Sequence, residues 1–382
     1  MGGTLGMIYR NRHHVSYSSV EALMVSQAQA SSVGRTPYQP TPEFSATVVG
    51  VFKRLERWRH ERPPGQQSQS SYTSASKTVL LWLETTLSSH ECTQLTPFFP
   101  RYFMPEMLHM MDIKEDPELM SLAYHVFRHL PNIPLPVNHD HEFITSLIEI
   151  GTTSTLWHQR LRVLINMQVL YFRRLFLISR REQERLFASV SDMLEDPQLE
   201  VRLGAATTLS GMIRCSPVRL REGVLQDLKT NFTNKLIRNP LPKRPPASTS
   251  TPGYTRITLV RHAAVLGLGA LVQAFPYTSP PPSWLPEVLA TLASRAAADP
   301  GMVGKSVKSA LGEFKKTRQD TWHVDVKVCH CCPLALSLYW MALTRGLIGI
   351  QYGTIGRFRR RLVEELFCLE SGRRRSVGVE LD

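Results

Sequence analysis

Several short segments of the chain carry side chains with a chemistry of their own. Cys329, His330, Cys331 and Cys332 offer thiolates and an imidazole, the soft ligands of a zinc site. Structural zinc sites separate paired ligands by about two to four residues and need a second pair. Here the ligands are adjacent and the next cysteine is the lone Cys368, so no metal is expected. His139, Asp140, His141 and Glu142 form a harder ligand set, but they sit between prolines and the start of a helical pattern, where Asp140 reads as a helix cap. Gly267 and Gly269 in "LGLGAL" have neither a preceding strand nor a third glycine, which argues for close helix packing and against dinucleotide binding. No nucleophile elbow occurs. Arg173-Arg174, Arg180-Arg181 and "KTNFTNKLIR" from Lys229 would suit a polyphosphate or nucleic acid, yet their spacing fits solvated helix faces. No catalytic, cofactor-binding or metal-binding residue is assigned.

The elements that must position these groups belong to a chain of 382 residues with 45 Lys and Arg against 32 Asp and Glu, a formal charge of +13. Such a balance favours anionic partners. The six cysteines are too few and too unevenly placed for a disulfide framework. The N-terminal residues lack the apolar core of a signal peptide, and Gly2 is not followed by the Ser or Thr that favours myristoylation. The apolar run "PLALSLYWMAL" from Pro333 stops at Arg345, short of a bilayer's thickness, so no membrane partner is expected.

Apolar residues recur at helical spacing almost throughout. Residues 1–62 read as a helical segment, with Val48, Val51, Phe52, Leu55 and Trp58 on one face. Residues 63–76 form a polar linker, 77–238 a succession of helices, and 239–256 an exposed loop rich in Pro, Ser and Thr around Lys243-Arg244. No segment alternates with a period of two. The chain is expected to be all-α.

A recurring signature points to a stacked array of helix pairs. "EDPQLEVRLGAATTLSGMI" lets Asp196 cap a helix with Pro197 in its first turn, then places Val201, Ala205 and Leu209 on one face with Arg202 beside them, able to reach an acidic group on the adjacent turn or repeat. Ala205 and Ala206 allow a neighbouring helix to approach closely. Asp116-Pro117 and Asp299-Pro300 repeat the acid-Pro start, and Val260-Arg261 repeats the Val-Arg pair before Ala263 and Ala264. Val201 and Val260 lie 59 residues apart, and removing the loop brings this near the roughly 40–47 of HEAT and armadillo repeats. A HEAT/armadillo-like helical solenoid is the expected fold.

The order of "LEDPQLEVRLGAATTLSGMIRC", "VRHAAVLGLGALVQAFPY", "PPSWLPEVLATLA" and "VKSALGEFKKTRQDTW" between Leu194 and Trp322 resembles the C-terminal region of the large HEAT-repeat proteasome activators, the subunit 4 family. That resemblance implies a non-enzymatic partner of the 20S core particle that promotes degradation without ubiquitin or ATP, working in nucleus and cytoplasm and linked to DNA repair. It also implies an inositol polyphosphate on a basic surface, without identifying residues, and recognition of acetylated histones through an Asn-Phe pair. Ser216-Pro217 stand where that pair is expected and supply neither an amide nor an aromatic wall. The family's short terminal tail, with its penultimate Tyr, inserts between α subunits to open the gate. Residues 323–382 are expected to be a divergent, disordered tail of intronic or out-of-frame origin without that ending, and the chain to be a C-terminal fragment. The alternative is a generic HEAT scaffold or chromatin adaptor.

Overall fold

The computed structural model describes residues 40–61, 70–87, 90–133, 135, 139–242, 252–278, 281–318 and 320. The expectations placed on residues 1–39, Lys243-Arg244, Cys329 to Cys332 and the tail lie outside them. Twelve α-helices occur among the described residues, with no strand. They are α1 (Pro42–His60), α2 (Ser71–Leu87), α3 (Met104–Met111), α4 (Pro117–His129), α5 (Asp140–Thr153), α6 (Trp157–Arg174), α7 (Arg180–Asp192), α8 (Leu199–Cys215), α9 (Val218–Arg238), α10 (Pro252–Ala274), α11 (Leu285–Arg295) and α12 (Gly301–Thr317).

Local chemistry sets several of the helix starts. Thr41 accepts a hydrogen bond from the Phe44 amide at 3.3 Å, and Asp116 accepts one from the Leu119 amide at 3.0 Å. Each is followed by a proline in the first turn, where no amide hydrogen is needed. Pro300 is followed by Gly301 at φ 67°, the left-handed conformation that glycine adopts without a Cβ penalty. A β-carbon on Gly304 would lie 2.3 Å from the Asp299 carbonyl oxygen, so this chain reversal needs glycine twice.

The helices form two layers. Each odd-numbered helix pairs with the even-numbered one that follows it, and the even helices then pack on one another: α2 on α4, α6 on α8, α8 on α10, α10 on α12. α4 reaches α6 through the 3-10 turn Leu130–Asn132 and through Asn166, which donates to the Phe127 carbonyl at 3.2 Å. In the odd layer α5 packs on α7 and α9 on α11. This is a helical solenoid with one continuous apolar core.

Small residues let the even layer close. β-carbons on Gly204 and Gly267 would meet Leu161 at 2.7 Å and the Phe232 ring at 2.4 Å. The close packing expected at Gly267 is thus against α9. α10 is long and apolar enough to cross a membrane by length and composition, but 67% of that window is buried inside the array. Enclosure by α8, α9, α11 and α12 explains its uniform apolarity.

The described boundaries differ in places from the sequence reading. α2 begins at Ser71, within the segment read as linker, and α10 begins at Pro252, within the segment read as loop. Both starts are polar or proline-containing, which masks a helix whose apolar face begins later.

Candidate functional site: two edges of the solenoid

Each even helix starts at one edge of the array and ends at the other. The starting edge carries the acid-Pro signatures. Lys77 of α2 meets the Asp116 carboxylate at 3.1 Å. Arg160 of α6 grips Asp196 with two donors, Nε at 2.6 Å and Nη2 at 3.0 Å. Arg261 of α10 meets Asp299 at 2.7 Å. In every case a cation reaches the aspartate that precedes the next even helix. Offsets are 36 residues for Arg160 and 38 for Arg261.

These aspartates are largely buried, and each buried charge is matched. Arg261 donates further to the carbonyls of Leu236, Asn239 and Arg295, so one guanidinium ties α9, α11 and the approach to α12 together. Forked guanidinium geometry suits this better than a lysine would.

Three sequence expectations change here. Asp196 does not cap a helix as expected, because α8 begins only at Leu199; its carboxylate accepts from the Gln198 amide at 2.8 Å and from Arg160. Pro197 precedes the helix for the same reason. Arg202 does not reach an acidic side chain; it donates to the Asp196 and Pro197 carbonyls at 2.7 and 2.9 Å. Val201 and Ala205 are buried, Val260 is half-buried, and Pro300 lies at the N-cap of α12.

Arg202 also begins a polar chain that crosses three even helices. Its Nε donates to Nδ1 of His262 at 3.1 Å, and Nε2 of His262 lies 2.9 Å from the Ser306 hydroxyl. An arginine can only donate, so Nδ1 is the acceptor and the imidazole proton sits on Nε2, directed at Ser306. Burial, reinforced by the Arg202 charge, lowers the His262 pKa from 6.5 to about 4, which keeps the ring neutral.

The ending edge is built differently. Here even helices hand over to odd ones, and neighbouring turns are joined by direct contacts. The Tyr171 hydroxyl and Ser216 Oγ are 2.7 Å apart, linking the α6–α7 turn to the α8–α9 turn. Arg214 donates to the Gln273 carbonyl at 2.9 Å, and the Arg221 guanidinium lies 5.3 Å from the centre of the Phe275 ring, linking the α8–α9 turn to the α10–α11 turn. Ser216 is therefore a buried bridge between repeats. Phe176 is 87% exposed, Tyr277 77%, Phe172 62% and Val218 56%, and all four lie on this edge.

Other singled-out groups prove structural. Asp140 is the first residue of α5 and makes no cap; it is buried against Arg174, with Nε and Nη2 at 2.8 and 2.9 Å. Burial raises the Asp140 pKa while Arg174 opposes the rise. Arg174 is thereby removed from the basic cluster that includes Arg173. Lys229 and Lys235 pair with Glu287 and Glu195 at 2.7 and 2.6 Å. Glu106, which the sequence reading did not single out, accepts from Arg59 at 3.0 Å and from the buried Tyr72 hydroxyl at 2.5 Å. Burial pushes the Cys92 thiol up to about 12 and raises that of Cys215. Neither thiol is primed for nucleophilic attack. Among the described residues no three His, Cys, Asp or Glu side chains assemble as a metal site.

Comparison with known proteins gives this architecture a context. Residues 258–330 match the family described as Proteasome activator complex subunit 4-like, C-terminal. The chain is 28% identical over 340 residues to Proteasome activator complex subunit 4 of Homo sapiens, covering 83% of this chain and 18% of that protein. Its relatives are proteasome activators. Proteasome activator BLM10 of Saccharomyces cerevisiae is 25% identical over 326 residues, covering 84% of this chain and 15% of the relative. Proteasome activator complex subunit 4B of Danio rerio is 36% identical over 181 residues, covering 46% and 9%. The chain thus spans less than a fifth of the length of these curated relatives. Such activators are regulatory proteins. The family match runs past Trp322 to residue 330, into the segment that the sequence reading treats as divergent.

Proposed function

We propose that this chain is a C-terminal proteasome-activator segment whose solenoid docks on the α-ring of the 20S core particle and promotes ubiquitin- and ATP-independent degradation. The observation that carries the proposal is the extent of the similarity. Proteins named proteasome activators in human and yeast align with more than four-fifths of this chain. Two features support it. A solenoid presents a long, firmly held edge to a large partner, and the buried aspartates described here are each paired with a cation of the same array. The same reading places the protein in nucleus and cytoplasm.

The test mixes the full chain with purified 20S particles in the absence of ATP and ubiquitin, and follows both by gradient sedimentation. Co-migration is the expected result. Fluorogenic peptide hydrolysis, read in the same fractions, reports separately whether the docked segment opens the gate. Failure to co-migrate at micromolar concentrations would contradict docking.

A further inference from the structure

We infer that the edge where even helices end, centred on the α6–α7 and α8–α9 turns, is a protein-docking edge for a partner surface with apolar pockets rimmed by carboxylates. The inference rests on the proposed function and deepens it by saying which edge meets the core particle. The four large apolar side chains with the greatest exposure in the described structure, Phe176, Tyr277, Phe172 and Val218, fall on three successive turns of this one edge. Helices in such arrays pack about 8–10 Å apart, so three turns span roughly 20 Å. That is the scale of a specific interface, and aromatic residues beside arginine are the side chains enriched at interface centres.

Charge selects the partner's chemistry. Within one helical turn of the α6–α7 and α8–α9 connections, the exposed charges are Arg173, Arg180, Arg181 and Arg214, and no exposed carboxylate accompanies them among the described side chains. Glu184, which pairs with Arg180 at 2.9 Å, and Glu222 lie deeper along their helices. Arg173 and Arg181 have no ion pair among the described residues. Arg173 and Arg214 lie in the last turns of α6 and α8, beside the negative ends of those helices.

The edge is also held in place. Tyr171 with Ser216, Arg214 with Gln273 and Arg221 with Phe275 fix the turns relative to one another, so the aromatic side chains project from a preformed frame. Association then orders few backbone torsions. The opposite edge offers less: its exposed large apolar groups Leu156, Ile237 and Met302 are 45%, 48% and 40% exposed.

The experiment uses the full chain and the 20S sedimentation assay with three variants. Phe176→Ser and the pair Arg173→Glu with Arg181→Glu alter the docking edge, and Leu156→Ser alters the other. Unchanged thermal unfolding by circular dichroism verifies that each variant is folded, and Phe176, with almost all of its surface in water, is the least able to disturb the core. The expected result is at least tenfold weaker binding for both docking-edge variants and wild-type binding for Leu156→Ser. Wild-type binding by the docking-edge variants, or equal weakening by Leu156→Ser, would overturn the docking edge while leaving core-particle binding intact. Failure of the wild-type chain itself to bind, including binding to anionic vesicles in its place, would overturn the underlying function and this inference with it.

Discussion

Along the acid-Pro edge, Lys77, Arg160 and Arg261 each reach a carboxylate at the start of a later even helix, while along the opposite edge Phe172, Phe176, Val218 and Tyr277 project into solvent. Both edges belong to the same helices and are separated only by helix length. On the first, charge is buried and matched. On the second, apolar surface and unpaired cations are left outside. The difference divides the labour of the molecule: one edge sets the repeat-to-repeat geometry, and the other keeps unsatisfied groups that an external partner can complete. A stability experiment and a binding experiment should therefore sort the two sets of residues in opposite ways.

The largest effect should come from Arg261→Ala. It leaves Asp299 buried beside three unpaired carbonyls. Breaking a buried pair from one side costs about 3–5 kcal/mol. Urea unfolding of the full chain should show this loss; a change below 1 kcal/mol would mean that the edge is not held by its ion pairs.

Next in size is a pH effect centred on His262. Its folded pKa of about 4 lies below the unfolded value of 6.5, so the unfolded state binds the extra proton first as pH falls. The contribution is complete above pH 6.5 and is lost progressively down to about pH 4, amounting to about 3 kcal/mol at 1.36 kcal/mol per pKa unit. His262→Gln removes that dependence. The stability gap between wild type and variant should narrow as pH falls from 7 to 4.5, and a constant gap would place the sensitivity elsewhere.

Tyr171→Phe probes the turn edge by deleting its bond to Ser216. Ser216 Oγ also donates to the Met212 carbonyl at 2.8 Å, so no buried donor is stranded, and the cost should be about 1 kcal/mol. A thermal midpoint lowered as far as by Arg261→Ala would erase the distinction between the edges. The smallest stability effect should be that of Phe176→Ser, within about 0.5 kcal/mol of wild type, as for a surface substitution. A melting curve clearly below wild type would show that Phe176 is held within the fold.

How much of this was legible in the sequence follows from where each partner lies. Helical spacing and the acid-Pro pairs announced the layers, because caps and apolar faces are written within a few residues of one another. Asp116, Asp299 and Arg261 were visible for that reason. Their partners were harder to find: Arg160 is 36 residues from Asp196, and nothing local separates it from any other arginine on an amphipathic helix. Asp140 looked like a cap because its neighbours in sequence are polar, whereas its partner Arg174 comes from the far end of the next helix. The path from Arg202 through His262 to Ser306 depends on the register of three helices and has no sequence signal. Phe172 lies on the same outer face of α6 as exposed Ile165, seven residues earlier, and Phe176 lies just past the end of α6 at Arg174; neither position is marked out within a run so rich in apolar residues.

The most direct test of the account is hydrogen exchange of the full chain with and without 20S core particles. The account predicts slowed exchange on binding in residues 172–181, 214–222 and 275–278, with little change around Asp116, Asp196 and Asp299. Protection confined to the acid-Pro edge, or no protection at all, would contradict it.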